Sequence, residues 1–223
     1  MTLHILDGVR LELPEWLQGT AIEEKIVSGS YEGHEAHAAR QRIRPGMRVL
    51  EIGAGLGFVS TICAQKAGAE NVMSVEANPR MLDPLQNNLR LNGQQAATVM
   101  HGAVVGDAHA DLVVNFRAGT LFWGGSIVAE GQSRKDMVSV PALHIGALLE
   151  MHRPRFVMLD VEGAEAALFQ RPLPKFVRFV VLELHPKKYP NTTVKQIVDC
   201  MSASGLTYDP VSSRGRTLGF MRV

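Results

Sequence analysis

The 223-residue chain is poor in several features that would indicate a function at once. It has 2 cysteines, Cys63 and Cys200, too few for a disulfide scaffold at this length, and a reducing compartment fits them best. Formal net charge is +1, with no acidic tail and no basic block, which removes the electrostatic case for a nucleic-acid partner. No apolar run approaches the roughly 18 residues of a membrane span. The opening "MTLHILDGVRLELPEW" also lacks the basic-then-apolar order of a signal peptide. These absences set the expectation of a soluble, cytoplasmic protein with no membrane partner. They leave the oligomeric state open, a homo-oligomer included. What the chain does have is 46% apolar residues, enough to build one sizeable α/β core.

Patterning divides the chain at Arg44-Pro45-Gly46, a turn signal. Before it, residues 2–13 alternate around Asp7-Gly8, which predicts a short hairpin with a type I′ turn. Residues 14–44 carry helical periodicity, so 1–46 is expected as a hairpin and helical cap on a single globular unit spanning 47–223. From Met47 apolar strands alternate with helices: "MRVLEI", "LGFVSTICAQKAG", "NVMSVEA", "NPRMLDPLQNNLRLNG", "ATVMHGAVVG". Asn78 suits a helix N-cap and Pro79 a first helical position, while Pro84 should kink that helix or mark a later start. The rhythm resumes with "HIGALLEM", "RFVMLD", "GAEAALFQ" and "FVRFVVLEL". Such alternation predicts parallel strands under covering helices. Right-handed crossovers then gather the strand C-termini along one edge, where open α/β sheets bind ligands. The Gly- and Ser-rich stretch 117–136 interrupts the pattern as an insertion of the kind that forms lids.

The stretch "VLEIGAGLGFVS", residues 49–60, runs from an apolar strand through Gly53, Gly55 and Gly57 into a helix. Glycines there let the backbone approach a ligand closely. A phosphate-binding P-loop would end in Gly-Lys-Ser/Thr, which is absent. The dinucleotide fingerprint would need a third glycine at Phe58, where a large ring obstructs helix–strand packing. The spacing therefore suits S-adenosylmethionine better than a dinucleotide. Glu76, ending the second strand, is placed to accept both ribose hydroxyls, although that acid would serve NAD equally.

Two later strand ends carry further polar groups. "LDVEGAEAAL" places Asp160 and Glu162 at the ligand edge, on opposite sides if the backbone stays extended. For Glu165 a solvated helix N-terminus is explanation enough. "VVLELHP" places Glu183 and His185 at the end of the next strand.

Taken together, "VLEIGAGLGFVS", "SVEANPRMLDPLQNNLRLNG", "HGAVVGD", "VPALHIGALLE", "LDVEGAEAALF" and "VVLELHP" resemble, in order, the FkbM-type methyltransferases. Glu51, Gly55 and Ala77 stand where that family more often has Asp, Asn and Pro. The resemblance implies a Rossmann-like class I methyltransferase fold, a mostly parallel seven-stranded sheet with helices on both faces. It also implies S-adenosylmethionine as methyl donor and the hydroxyl of a sugar, polyketide or other small molecule as acceptor. By the same resemblance Gly53, Gly55 and Gly57 would line the methionine part of the donor, with Glu51 behind them. Glu76 would hold the ribose, Ala77 and Asn78 would flank the adenine, Asp107 would touch its amine, and Tyr31 and Glu32 would close over the cofactor.

A neutral alcohol needs its proton removed as the new bond forms. His185 is the best base by intrinsic pKa and Asp160 by position. One is expected to act as base and the other to orient it, with Glu162 or Glu183 binding substrate hydroxyls. No metal is expected, because carboxylates near a substrate are commoner as hydrogen-bond acceptors than as ligands. The variant is a divalent cation on Asp160, Glu183 and His185. His34 and His37 lack the H-E-x-x-H spacing and read as a solvated helix face. Phe122 and Trp123 suit either a stacking platform or a buried anchor. The competing functions are an RNA, tRNA or N-directed methyltransferase, an NAD-dependent oxidoreductase, and a non-catalytic small-molecule-binding protein on the same fold.

Overall fold

The computed structural model describes residues 2–117, 126–127 and 137–223. β1 (Thr2–Leu6) and β2 (Val9–Leu13) form the expected hairpin. Its turn residues Asp7 and Gly8 sit at φ +48° and +80°, the left-handed pair that a type I′ turn requires. Helices α1 (Ala21–Val27) and α2 (Gly33–Arg42) follow.

The main sheet then begins with β3 (Val49–Ile52), α3 (Phe58–Ala67), β4 (Val72–Glu76), α4 (Pro79–Leu91) and β5 (Thr98–His101). Asn78 caps α4, its side chain accepting from Arg80 N. The helix runs through Pro84 as one element. At that position the missing N–H removes the bond to the Arg80 carbonyl. The single strand expected over "ATVMHGAVVG" is two. β5 ends at His101, and β6 (Ala103–Val105) pairs instead with β9 (Met137–His144) in a second sheet. The break falls at Gly102, where a Cβ would come within 2.7 Å of Leu143 Cγ. That second sheet also contains β7 (Val113–Arg117) and β8 (Ser126–Ile127), in the order β6-β9-β7-β8.

α5 (Ile145–His152), β10 (Phe156–Leu159), the short α6 (Glu165–Leu168), β11 (Phe179–Glu183), α7 (Asn191–Ala203), β12 (Leu206–Tyr208) and β13 (Thr217–Arg222) complete the chain. The main sheet has seven strands in the order β12-β13-β11-β10-β3-β4-β5. Pairing is parallel from β11 through β5, and β13 is antiparallel to both its neighbours. This is the expected Rossmann-like sheet.

Alternate residues of each central strand feed two cores. Val49, Phe156 and Met158 pack with Leu11, Ile22, Ile43 and Phe58 on one face. Leu50, Val157 and Leu159 pack with Leu149, Leu168 and Ile197 on the other. Residues of the 1–46 segment thus share one of the main cores. α3 is buried on nearly every side. Both cysteines are buried and free. No described helix is long and apolar enough to cross a membrane.

Candidate active site

The glycine loop follows directly from the burial of β3. Gly53, Gly55 and Gly57 sit at φ +90°, +52° and +82°. Gly53 N donates to Val75 O at 2.9 Å, tying the loop to β4. A Cβ on Gly53 would collide with the Asp160 carbonyl oxygen, so the loop lies against the end of β10. Behind it Glu51 is buried and accepts hydrogen bonds from the Ser60 and Ser74 hydroxyls. Burial raises its carboxyl to about 7 despite those bonds.

Glu76 is buried beneath the loop. Oε2 accepts from Gly55 N at 2.8 Å and Oε1 from Asn78 N at 2.7 Å. Burial raises its pKa, and these backbone donors oppose that shift. An ionised carboxylate has about four lone-pair sites, so Glu76 keeps capacity for ribose hydroxyls. Asn78 Nδ2 is buried with no hydrogen-bond partner among the described residues. The residues assigned to the adenosine thus include an orphan donor beside an acceptor and a glycine cradle, which fits an adenosyl group.

Next to the loop opens a cleft of about 460 Å³, walled by Tyr31 and Glu32 and floored by Asp160, Glu162, Glu183 and His185. Tyr31 is buried, with its ring centroid 6.0 Å from that of Phe58. In the floor Leu159 pairs with Leu182, so the residues that follow, Asp160 and Glu183, stand on adjacent strand ends. Asp160 N still donates to Ile52 O at 3.0 Å. The chain does not stay extended beyond it. Glu162 sits at φ +51°, and this turn carries its carboxylate to the same side as Asp160, not the opposite one. His185 Nε2 lies 3.5 Å from Asp160 Oδ1, 3.6 Å from Glu162 Oε2 and 4.0 Å from Glu183 Oε2. Glu32 also adopts a left-handed conformation, at φ +46°. Two strained glutamates around one cleft are a mark of a functional site.

Charge in the floor is only partly balanced. Arg216 Nη2 meets Glu183 Oε1 at 2.8 Å, and Lys188 Nζ lies 3.7 Å from Glu162. Burial, followed by the Glu183 charge, pushes the Asp160 carboxyl up to about 8. Burial alone would lower the His185 imidazole. The hydrogen bond to Glu165 and the charges of Glu165, Asp160 and Glu162 outweigh it and raise the pKa.

The structure therefore brings Asp160, Glu162, Glu183 and His185 into one cluster, with Gly53, Gly55, Gly57, Glu51, Glu76 and Asn78 at its side and Tyr31 above. Ala77 is half-buried, and its carbonyl lies 3.3 Å from His101 Nε2. Asp107 is drawn elsewhere: Oδ1 accepts from Gly146 N at 2.8 Å and Oδ2 pairs with Arg171. His34 is exposed but lines the cleft, and the half-buried His37 bonds Val211 O at 3.1 Å. Phe122 and Trp123 lie outside the described residues. The sequence reading missed Glu165. It is fully buried, not solvated, and its Oε1 lies 2.8 Å from His185 Nδ1. Tyr189 was also missed; its hydroxyl accepts from His185 N at 2.9 Å.

Residues 51–208 match the model of the methyltransferase FkbM domain family. A stretch of 61 residues, 27% of the chain, is 39% identical to the protein-L-isoaspartate O-methyltransferase of Methanococcoides burtonii and spans only 30% of that protein. Among solved structures, the fold is similar to magnesium protoporphyrin IX methyltransferase from Synechocystis PCC 6803 with bound S-adenosylmethionine. That structure is 16% identical, with 94% of this chain and 88% of that chain covered and a TM-score of 0.47. The precorrin-6y C5,15-methyltransferase of Geobacter metallireducens is 14% identical, with 85% and 84% covered and a TM-score of 0.46.

Proposed function

The chain belongs to the FkbM methyltransferase family, and from that premise we propose that it methylates a hydroxyl of a small molecule held in the cleft beside the glycine loop. The observation that carries this reading is the floor of the cleft. Three carboxyl groups converge within 4.0 Å of the His185 Nε2, on the strand ends that abut the loop.

S-adenosylmethionine supplies an electrophilic methyl group on a sulfonium. The chain's own residues do the rest. Gly53, Gly55 and Gly57 admit the methionine part, Glu76 takes the ribose hydroxyls, and Ala77 with the unpaired Asn78 amide faces the adenine. Tyr31 and Glu32 cover the cleft and exclude water. Displacement at the methyl carbon is in-line, so holding the hydroxyl in alignment supplies much of the acceleration. The hydroxyl proton leaves into the cluster of Asp160, Glu162, Glu183 and His185.

Calorimetric titration with S-adenosylmethionine, its demethylated product and NAD tests the cofactor, and binding of NAD alone would overturn the reading. For the acceptor, release of demethylated cofactor is followed across hydroxylated small molecules, with an isoaspartyl peptide and tRNA as competitors. Asp160→Asn and His185→Ala should each lower that rate by about 10²–10⁴-fold. Full activity in both variants would remove the cluster from the reaction.

A further inference from the structure

We propose that Asp160, Glu183 and His185 form a binding site for a divalent cation, with Glu162 at its edge. The argument starts from the imidazole. Glu165 is a fully buried carboxylate, 2.8 Å from His185 Nδ1, and it can only accept. Nδ1 therefore carries the proton, and in the neutral ring Nε2 presents a lone pair. The His185 side chain is 92% buried, since 8% of it is exposed. Among the described residues its Nε2 makes no hydrogen bond, and it is aimed at three carboxyl groups. Asp160 Oδ1, the nearest of them, is buried and without a hydrogen bond among the described residues.

His185 Nε2 and the three carboxyl groups stand 3.5–4.0 Å apart around one small space. The gaps are too wide for direct hydrogen bonds. They are the right size for ligands that each lie about 2.0–2.6 Å from one shared ion. One ligand atom from each of Asp160, Glu183 and His185 lies within 4.8 Å of the others. The supporting shell is also present: a metal-bound histidine characteristically gives its other ring N–H to a carboxylate, as His185 does to Glu165. Arg216 holds the far oxygen of Glu183, while Lys188 shares with His185 the Oε2 of Glu162, which leaves that residue at the edge of the site. Two carboxylates and one imidazole favour a hard to borderline ion such as Mg²⁺ or Mn²⁺ over a thiophilic one.

What the ion does rests on the cleft being the acceptor site; that it binds does not. On the ion the acceptor hydroxyl loses its proton more readily. That proton passes to the Glu162 carboxylate. The hydroxyl oxygen then forms its bond to the methyl carbon as the carbon–sulfur bond breaks and its electron pair returns to sulfur. Atoms and charge balance with no further reactant.

The test uses the full chain, stripped with a chelator and titrated with Mn²⁺ alone, by calorimetry and by loss of the free-ion electron paramagnetic resonance signal. One ion per chain is expected. Affinity should fall at least about tenfold in Glu183→Gln and in His185→Gln, and by a similar factor in Glu165→Leu, which touches only the far ring nitrogen. Asp83→Asn, an exposed acid on α4, should bind as the wild type does. S-adenosylmethionine affinity, measured on each variant, establishes that it is folded; Glu183→Gln, on a side chain still 20% exposed, decides the matter if His185→Gln is not folded. A wild type that takes up no Mn²⁺ to about 1 mM, the weak end of protein sites for divalent ions, overturns the proposal. Equal affinity in wild type and Glu183→Gln also overturns it. Mn²⁺ bound without methylation of any hydroxyl would sink the proposed function and leave the cation site standing.

Discussion

His185 and Glu165 are joined through imidazole Nδ1 and carboxylate Oε1 at 2.8 Å, and both are buried. The bond fixes which ring nitrogen faces the cleft, so Glu165 is a positioning residue for everything His185 does there. Glu165→Leu fills the space but leaves a buried N–H unpaired. It should cost about 1–3 kcal/mol in urea unfolding. Glu165→Gln, whose side-chain oxygen can still accept, should cost less. Equal losses in the two variants would show that volume, not the hydrogen bond, is what matters at this position.

Gly53 is pinned by two constraints at once. Its φ of +90° disfavours any side chain, and a Cβ would run into the Asp160 carbonyl oxygen. Gly53→Ala should therefore lose about 1–2 kcal/mol to backbone strain alone. Because the collision would push the loop from the end of β10, S-adenosylmethionine affinity should fall at least about tenfold, a loss of roughly 1.4 kcal/mol. Calorimetry beside a thermal melt separates the two effects, and unchanged affinity in a folded Gly53→Ala chain would remove the loop from the cofactor site.

Glu76 serves the loop before it meets any ligand, since its two oxygens hold the N–H groups of Gly55 and Asn78. Glu76→Ala leaves both donors unpaired in a buried place, at about 1–3 kcal/mol each. Cofactor affinity and stability should then fall together. Glu76→Gln keeps one acceptor and should retain more of both. Loss of affinity with no loss of stability would mean that the carboxylate acts on the ribose alone.

Much of this was legible in the residues because its causes are local. Left-handed turns select glycine, so "GAGLG" announced a loop, and Asn78-Pro79 announced a helix start. Strand-end acids at Asp160 and Glu183 followed from the alternation of strands and helices. Glu165 was not legible. An acid at a helix start already has a local explanation in the helix dipole, and its burial depends on His185, which arrives from the next strand. The turn at Glu162 was hidden for a similar reason, since a left-handed glutamate has no sequence signal, and it alone brings that carboxylate to the side of Asp160. The split of β5 from β6 at Gly102 is set by Leu143, forty-one residues further along the chain.

Glu51 offers a measurement independent of any ligand. Its carboxyl is raised from 4.5 to about 7, chiefly by burial, while hydrogen bonds from Ser60 and Ser74 pull the other way. The folded state therefore binds more protons than the unfolded chain between those two values. The resulting contribution is fully present below pH 4.5 and is lost as pH rises through about 7. At roughly 1.4 kcal/mol per pKa unit the swing is of order 3 kcal/mol. Other groups titrate over the same range, so the quantity to compare is wild type against Glu51→Gln at each pH. Relative to the variant, wild type should lose stability to urea between about pH 5 and pH 8. Parallel curves for the two proteins would mean that the Glu51 carboxyl stays in the ordinary range, held down by its two hydroxyl donors against the cost of burial.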